Sequence, residues 1–113
     1  MKLPHNKNSH IPKGKLEKYL LSETHPVGKH KANLFRKIGY TKENTAELKK
    51  ALLAIAHDNK IKEIKQNPYG TNYAIIGNIT TPTDDLVTIK TIWFLRKGAK
   101  RPKLITAYPH MIK

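Results

Sequence analysis

The residues of this chain best suited to chemistry flank a Pro-Val-Gly turn. They read His25-Pro-Val-Gly-Lys29-His30-Lys31 and precede a short segment of helical apolar periodicity. A turn that leads into a helix presents free N–H groups and the positive end of the helix dipole, where a phosphate is favoured. We predict that His25 exchanges a proton near neutral pH while Lys29, His30 and Lys31 face the phosphate. The competing interpretation is a solvated basic turn without function.

A second group lies near the end of the chain, in Arg101-Pro-Lys-Leu-Ile-Thr-Ala-Tyr-Pro. The hydroxyls of Thr106 and Tyr108 would share one strand face and could contact a phosphate, and Tyr108 could also donate a proton or stack on a base. Arg101 and Lys103 would add positive charge. Strict alternation predicts Leu104 on the face of Thr106 and Tyr108, and Lys103, Ile105 and Ala107 on the other. The alternative is that the two hydroxyls simply line a half-buried strand.

Three aromatic residues among the basic segments are candidate stacking platforms. Tyr69 lies in an Asn-Pro-Tyr-Gly turn, and Tyr73 follows in the next apolar run. Trp93 belongs to the apolar face of a long strand and is predicted to lie in the core. Tyr69 and Tyr73 are therefore the predicted stacking residues for RNA bases.

The charge balance points to a polyanionic partner. The 22 Lys and Arg residues against 8 Asp and Glu residues give a formal charge of +14 on 113 residues, and the surplus falls in the first and last thirds. Mutual repulsion of so many cations suggests nucleic acid, an acidic protein or an anionic membrane surface as the partner. The membrane surface is the weakest of the three, because no long amphipathic helix with a basic face is visible. No phosphate-binding loop, dinucleotide fingerprint, nucleophile elbow or paired-carboxylate site is present, and no metal site or cofactor is predicted.

The lack of cysteine and of long apolar segments limits where in the cell the protein is expected. Cysteine is absent, and we find neither an apolar run long enough to span a bilayer nor an apolar stretch behind Met-Lys-Leu-Pro-His-Asn-Lys. The sequence therefore predicts a cytoplasmic protein that does not enter the membrane.

The helices and strands predicted from the sequence, which would position these residues, form one α+β domain. Residues 1–14 are predicted as a basic arm and 15–113 as a single domain with N-terminal helices packed on a four-stranded antiparallel meander. Helices are predicted over residues 15–21, 29–38, with Gly39 as C-terminal cap, and 44–57, where Asn44 and Glu47 have capping-box spacing. The predicted strands are 61–65, 71–76, 86–96 and 103–108, separated by turn residues.

The motifs together resemble a family of small bacterial domains. The shared elements are HPxGxxKA, here His25 to Ala32, and TAYP, here Thr106 to Pro109. The resemblance covers about residues 11–109. In element order that family is similar to the toxin ribonucleases of the barnase, EndoU, colicin and RelE group, in which helices precede an antiparallel sheet.

This resemblance implies metal-independent RNA cleavage by attack of a 2′-hydroxyl on its own phosphate. It implies His25 as base or acid, Lys31 as charge stabiliser, and Thr106 and Tyr108 as phosphate contacts. Relatives tend to have Arg where this chain has Lys103, which lacks a planar fork. A toxin-type endoribonuclease would require an acidic antitoxin or inhibitor protein. The alternatives are a non-catalytic RNA- or DNA-binding module and a basic domain that docks an acidic partner protein.

Overall fold

In the part of the chain that the structure describes, one α-helix packs on a four-stranded antiparallel sheet. The computed structural model describes residues 2–12 and 39–109. In these ranges a 3-10 turn at Lys42–Asn44 leads into helix α1, Thr45–Asp58. Four strands follow: β1, Ile61–Asn67; β2, Gly70–Thr80; β3, Leu86–Arg96; and β4, Lys103–Pro109. The α+β class and the meander are therefore confirmed, with spatial order β1-β2-β3-β4.

The helix prediction is confirmed for the described part of the chain alone. That part contains a single α-helix, and it lies in the middle of the sequence rather than at the N-terminus. The helices predicted over residues 15–21 and 29–38 fall outside the described residues. Gly39, predicted to end the second of them, has φ of 99°, a backbone conformation that favours glycine.

The cap of α1 differs from the predicted Asn44–Glu47 box. Asn44 Oδ1 accepts a hydrogen bond from the Thr41 N–H at 2.7 Å, and the Thr41 hydroxyl accepts one from the Glu43 N–H at 3.2 Å. Asn44 Nδ2 also donates to the Gly39 carbonyl at 2.9 Å. The capping box therefore begins one turn earlier, at Thr41, because the 3-10 turn has already engaged the Asn44 amide.

The hydrophobic core of the described residues lies between α1 and one face of the sheet. Leu48, Leu52 and Ile55 are buried along one stripe of α1, as their helical spacing predicts. Leu3 and Ile11 are buried in the same core, so residues 2–12 pack on the domain. The predicted division of the chain at residue 14 stays a prediction.

A buried polar pair sits in the centre of that layer. The Trp93 indole N–H donates to the Thr91 hydroxyl at 2.8 Å, and this hydroxyl donates to the Ile75 carbonyl at 2.8 Å. Trp93 and Thr91 are fully buried. The prediction that Trp93 belongs to the core is confirmed, and its one polar atom is satisfied inside the core.

Candidate nucleic-acid interface

The face of the sheet directed away from α1, here called the distal face, carries most of the polar residues of the strands. Alternation along β3 sends Ile89, Thr91 and Trp93 into the core and leaves Lys90 and Ile92 on the distal face. The register then assigns the neighbouring strands to the same face. Its members in the central part of the sheet are Glu63, Lys65, Asn72, Ala74, Ile76, Lys90, Ile92, Phe94, Lys103, Thr106 and Tyr108.

Lys90 is the central cation of this face. It pairs with Ile76 on one side and with Tyr108 on the other. Its Nζ lies 3.7 Å from Glu63 Oε1, and the two side chains are 21% and 52% exposed, respectively. A partly exposed pair of this kind contributes little to stability, so Lys90 is available to an incoming anion.

A shallow groove runs beside Lys90 across β1, β2 and β3. Its volume is about 190 Å³, and its lining residues are Glu63, Lys65, Asn72, Ala74, Lys90 and Ile92. Ala74 and Ile92 give it a small apolar floor, while two ammonium groups, one carboxylate and one amide surround that floor. Such a lining fits a group that is flat on one side and anionic on another, as a nucleotide is.

The row of β4 residues on the distal face differs from strict alternation because of a β-bulge. Ile92 pairs with Thr106, but the next residue, Trp93, pairs with Leu104. The extra residue turns Leu104 into the core, where it is fully buried with Ala107. The prediction that Leu104 shares a face with Thr106 and Tyr108 is therefore wrong.

The same bulge also corrects the predicted position of Lys103. This residue pairs with Phe94, two positions beyond Ile92 along β3, and therefore joins Thr106 and Tyr108 on the distal face. The shared face of Thr106 and Tyr108 agrees with the sequence prediction. Lys103, Thr106 and Tyr108 thus form a basic and hydroxylic row.

The two predicted stacking tyrosines do not join this row. Tyr73 is 9% exposed and packs in the core on the α1 side, so its predicted role as a stacking platform is wrong. Its even spacing from Ile75 places it on the apolar face of β2. Tyr69 is 78% exposed in the β1–β2 turn, which lies roughly 20 Å along the sheet from Tyr108. Tyr69 could contact a base only at the far end of a bound strand.

The other half of the predicted site lies outside the described residues. His25, Lys29, His30 and Lys31 belong to that part of the chain, so their closeness to Tyr108 stays a prediction. Within residues 2–12 and 39–109, no group of three His, Asp or Glu side chains is arranged to hold a metal ion.

Sequence reasoning missed Lys90, Glu63, Lys65 and Asn72. The signal for Lys90 was present in β3, where Thr88, Lys90, Ile92 and Phe94 alternate with the apolar set. A lysine in the middle of a long central strand must face a polar surface, because an unpaired buried ammonium is strongly disfavoured. The other three become visible only when the strand register is known.

His10 stands beside the start of β4 as an additional polar group. The backbone N–H of His10 donates to the Pro102 carbonyl at 2.9 Å, and the backbone carbonyl of His10 accepts from the Leu104 N–H at 3.0 Å. Burial lowers the pKa of its imidazole, and the neighbouring Arg101 guanidinium lowers it further, with smaller contributions from Lys103 and Lys49. A hydrogen bond between the imidazole and the Pro102 backbone carbonyl raises the pKa and acts in the opposite direction.

The comparisons with known proteins agree with this architecture. Residues 2–111 match the family described as "Domain of unknown function (DUF6883)". The chain therefore belongs to that family. No curated protein matches it.

A solved structure shares the fold across nearly the whole chain. It is described as "Contact-dependent growth inhibition toxin - immunity protein complex from Klebsiella pneumoniae 342". The chain superposes on one of its chains with a TM-score of 0.71 and 14% identity, covering 96% of this chain and 98% of that one. At this identity the likeness establishes a common fold. Separately, none of the helices in the described ranges has the length and apolar character needed to cross a membrane.

Proposed function

We propose that the protein is a metal-independent endoribonuclease of toxin type whose substrate lies on the distal face. The observation that carries the proposal is the pairing of Lys90 with Tyr108 in the middle of that face. Directly paired residues have Cβ atoms about 5 Å apart, so an ammonium and a phenol can both reach one phosphate. Lys103 and Thr106 continue the row, and the net charge of +14 attracts the RNA to it.

The proposed reaction is an attack by the 2′-hydroxyl of a nucleotide on its own 3′-phosphate. His25 takes the proton of that hydroxyl, the new O–P bond forms, and the bond to the 5′-oxygen of the next nucleotide breaks. The products are a 2′,3′-cyclic phosphate and a free 5′-hydroxyl, whose proton comes from Tyr108 or from the protonated His25. Lys31 and Lys90 stabilise the charge on the phosphoryl oxygens, and Thr106 donates a hydrogen bond to one of them.

A cytoplasmic enzyme of this kind requires a protein inhibitor. Support comes from the similar structure, which is described as a complex of a toxin with an immunity protein. For this chain we propose an acidic inhibitor that covers the distal face, because its carboxylates would pair with the same cations that bind the phosphates. No membrane partner is proposed.

Two alternative functions would use the same surface. A non-catalytic RNA- or DNA-binding module would grip the phosphates without cutting, and a basic interaction domain would bind only an acidic protein. The row of Tyr108, Thr106 and Lys103 beside Lys90 favours a phosphate ligand, because it combines neutral hydroxyl donors with charge.

The test is incubation of the purified protein with total RNA in EDTA. We expect RNA degradation by the parent chain and a loss of about a hundredfold or more in the His25→Ala variant, since general acid–base catalysis contributes about 10² to 10⁴ in rate. The matched control is His57→Ala, which removes an exposed imidazole from the end of α1 and should cleave like the parent chain.

Intact RNA with the parent chain would contradict the nuclease proposal. If that RNA is nevertheless bound, the binding-module alternative gains support. Undiminished cleavage by His25→Ala would contradict the assignment of His25 and leave the cleavage activity established.

A further inference from the structure

The ring of Phe94 leans along the distal face instead of standing away from it. Phe94 is in β3, where it pairs with Asn72 of β2. Gly70 lies two residues before Asn72 on the same face of β2, and a Cβ atom built on Gly70 would lie 2.8 Å from both Cε1 and Cζ of the Phe94 ring. Carbon atoms of side chains do not approach so closely, so the end of the ring occupies the space that a side chain at Gly70 would fill. The ring therefore covers the backbone of Gly70, which is buried.

Phe94 also keeps part of its surface in contact with solvent, because the residue is only half-buried. Side chains of a strand usually stand perpendicular to the sheet. A ring that instead leans over the neighbouring strand, with one side against its backbone, turns the other side outward. Phe94 thus offers an aromatic surface on the distal face, in a position that depends on the missing side chain of Gly70.

Two lysines flank Phe94 in the same row across the sheet. The paired residues of this row, one from each strand, are Lys65, Asn72, Phe94 and Lys103. Both lysines are exposed. Proteins bind single-stranded nucleic acids with this combination, in which bases stack on aromatic rings and phosphates meet the positive charges. The row is therefore suited to a base with phosphates on both sides of it.

We propose that Phe94 stacks on an unpaired base of the bound RNA, while Lys65 and Lys103 contact phosphates of the same strand. This inference rests on the proposed RNA-binding function of the distal face and adds a base contact to it. Phe94 is four residues from Lys90 along β3, roughly 13 Å, so this contact lies beside the pair of Lys90 with Tyr108. The substrate class is single-stranded RNA, since the bases within a duplex already stack on one another. Stacking accepts every base, so we expect affinity without a strict sequence preference.

The experiment measures the affinity for two labelled strands by fluorescence anisotropy in EDTA. One strand is oligothymidylate. The other has the same length and the same phosphates, but it carries tetrahydrofuran in place of every nucleoside and therefore has no bases. Neither strand has a 2′-hydroxyl, so the proposed reaction cuts neither. We expect the parent chain to bind oligothymidylate roughly tenfold more tightly than the baseless strand, as for the stacking of one base.

Two variants of Phe94 separate the ring from its apolar bulk. Phe94→Leu removes the ring and should bind oligothymidylate roughly tenfold more weakly than the parent chain, whereas Phe94→Tyr keeps the ring and should stay within about twofold. On the baseless strand both variants should bind like the parent chain, because no base is there to stack. The matched control is Ile64→Ala, which should bind both strands like the parent chain. Ile64 is 47% exposed and pairs with Tyr73 on the opposite face of the sheet.

The outcomes separate this inference from the nuclease proposal. Equal affinity of Phe94→Leu and the parent chain for oligothymidylate would overturn the stacking role, even if total RNA is cleaved. Equal losses on the two strands would also overturn it, because the ring would then act through the fold or the phosphates. The parent chain alone supplies a test that needs no variant, since equal affinity for the two strands would exclude a stacked base.

A loss confined to the strand with bases supports the stacking role, even where the parent chain fails to cut RNA. No binding of either strand by the parent chain would overturn this inference together with the RNA-binding function on which it rests.

Discussion

The Lys90→Gln variant should cleave RNA about a hundredfold or more slowly than the parent chain. Lys90 is the only cation among the described residues that pairs directly with Tyr108. Removing one preorganised group that stabilises charge in a transition state costs on the order of 10² to 10³ in rate. The measurement is the initial rate on a labelled RNA in EDTA, at RNA concentrations well below saturation.

The Lys50→Gln variant is the matched control for this experiment. Lys50 is an exposed lysine of α1, on the opposite side of the sheet from the distal face, and its replacement removes the same charge. We expect a change of less than about threefold, since exposed charges far from a site act through a screened field. Equal losses in the two variants would show that only total charge matters, and an unaffected Lys90→Gln would remove the distal face from the reaction.

The Trp93→Ala variant should lose about 3–5 kcal/mol of the free energy of unfolding, the range for deleting a large buried aromatic side chain. Trp93 is fully buried between α1 and the sheet. Because a domain of this size has a total stability of about 5–15 kcal/mol, the variant should melt at least about 10 °C lower. Urea denaturation and thermal melting followed by circular dichroism measure both quantities.

The matched control is Leu86→Ala in the same strand. Leu86 is 73% exposed, so its truncation should change stability by less than about 0.5 kcal/mol. Thr91→Val tests the polar pair separately, because it leaves the Trp93 indole N–H buried without its acceptor, at a cost of about 1–3 kcal/mol. The two losses should not add in the double variant, since one partner is already missing. Additive losses would contradict the hydrogen bond between Thr91 and Trp93.

The helix and the strands could be predicted because the spacing of apolar residues in the sequence matches their periods. Leu48, Leu52 and Ile55 mark α1 at helical spacing, and the alternation of Ile89, Thr91 and Trp93 marks β3 at a spacing of two. The turn between β1 and β2 could also be predicted from its Asn-Pro-Tyr-Gly sequence. Asn67 Oδ1 accepts hydrogen bonds from the Tyr69 and Gly70 N–H groups at 2.8 and 3.1 Å, as expected for such a turn.

The errors come from features that local patterns do not encode. The bulge between Ile92 and Trp93 depends on how β3 and β4 pair, and it exchanges the faces of Leu104 and Lys103. The burial of Tyr73 follows from its position opposite Trp93, in the centre of the core. Lys90 and Glu63 come together from separate strands, so neither could be assigned to a site before the register was known.

The most direct test of the account uses a fluorescent oligodeoxynucleotide that contains a single ribonucleotide. Incubated in EDTA, the parent chain should cut it only on the 3′ side of that ribonucleotide and leave a 2′,3′-cyclic phosphate, because the attacking group is the ribonucleotide's own hydroxyl. A 2′-O-methyl group at the same position should abolish cleavage. A strand made of deoxynucleotides alone should likewise stay intact. Cleavage of the methylated or the all-deoxy strand, or no cleavage of the strand with one ribonucleotide, would contradict the proposed reaction.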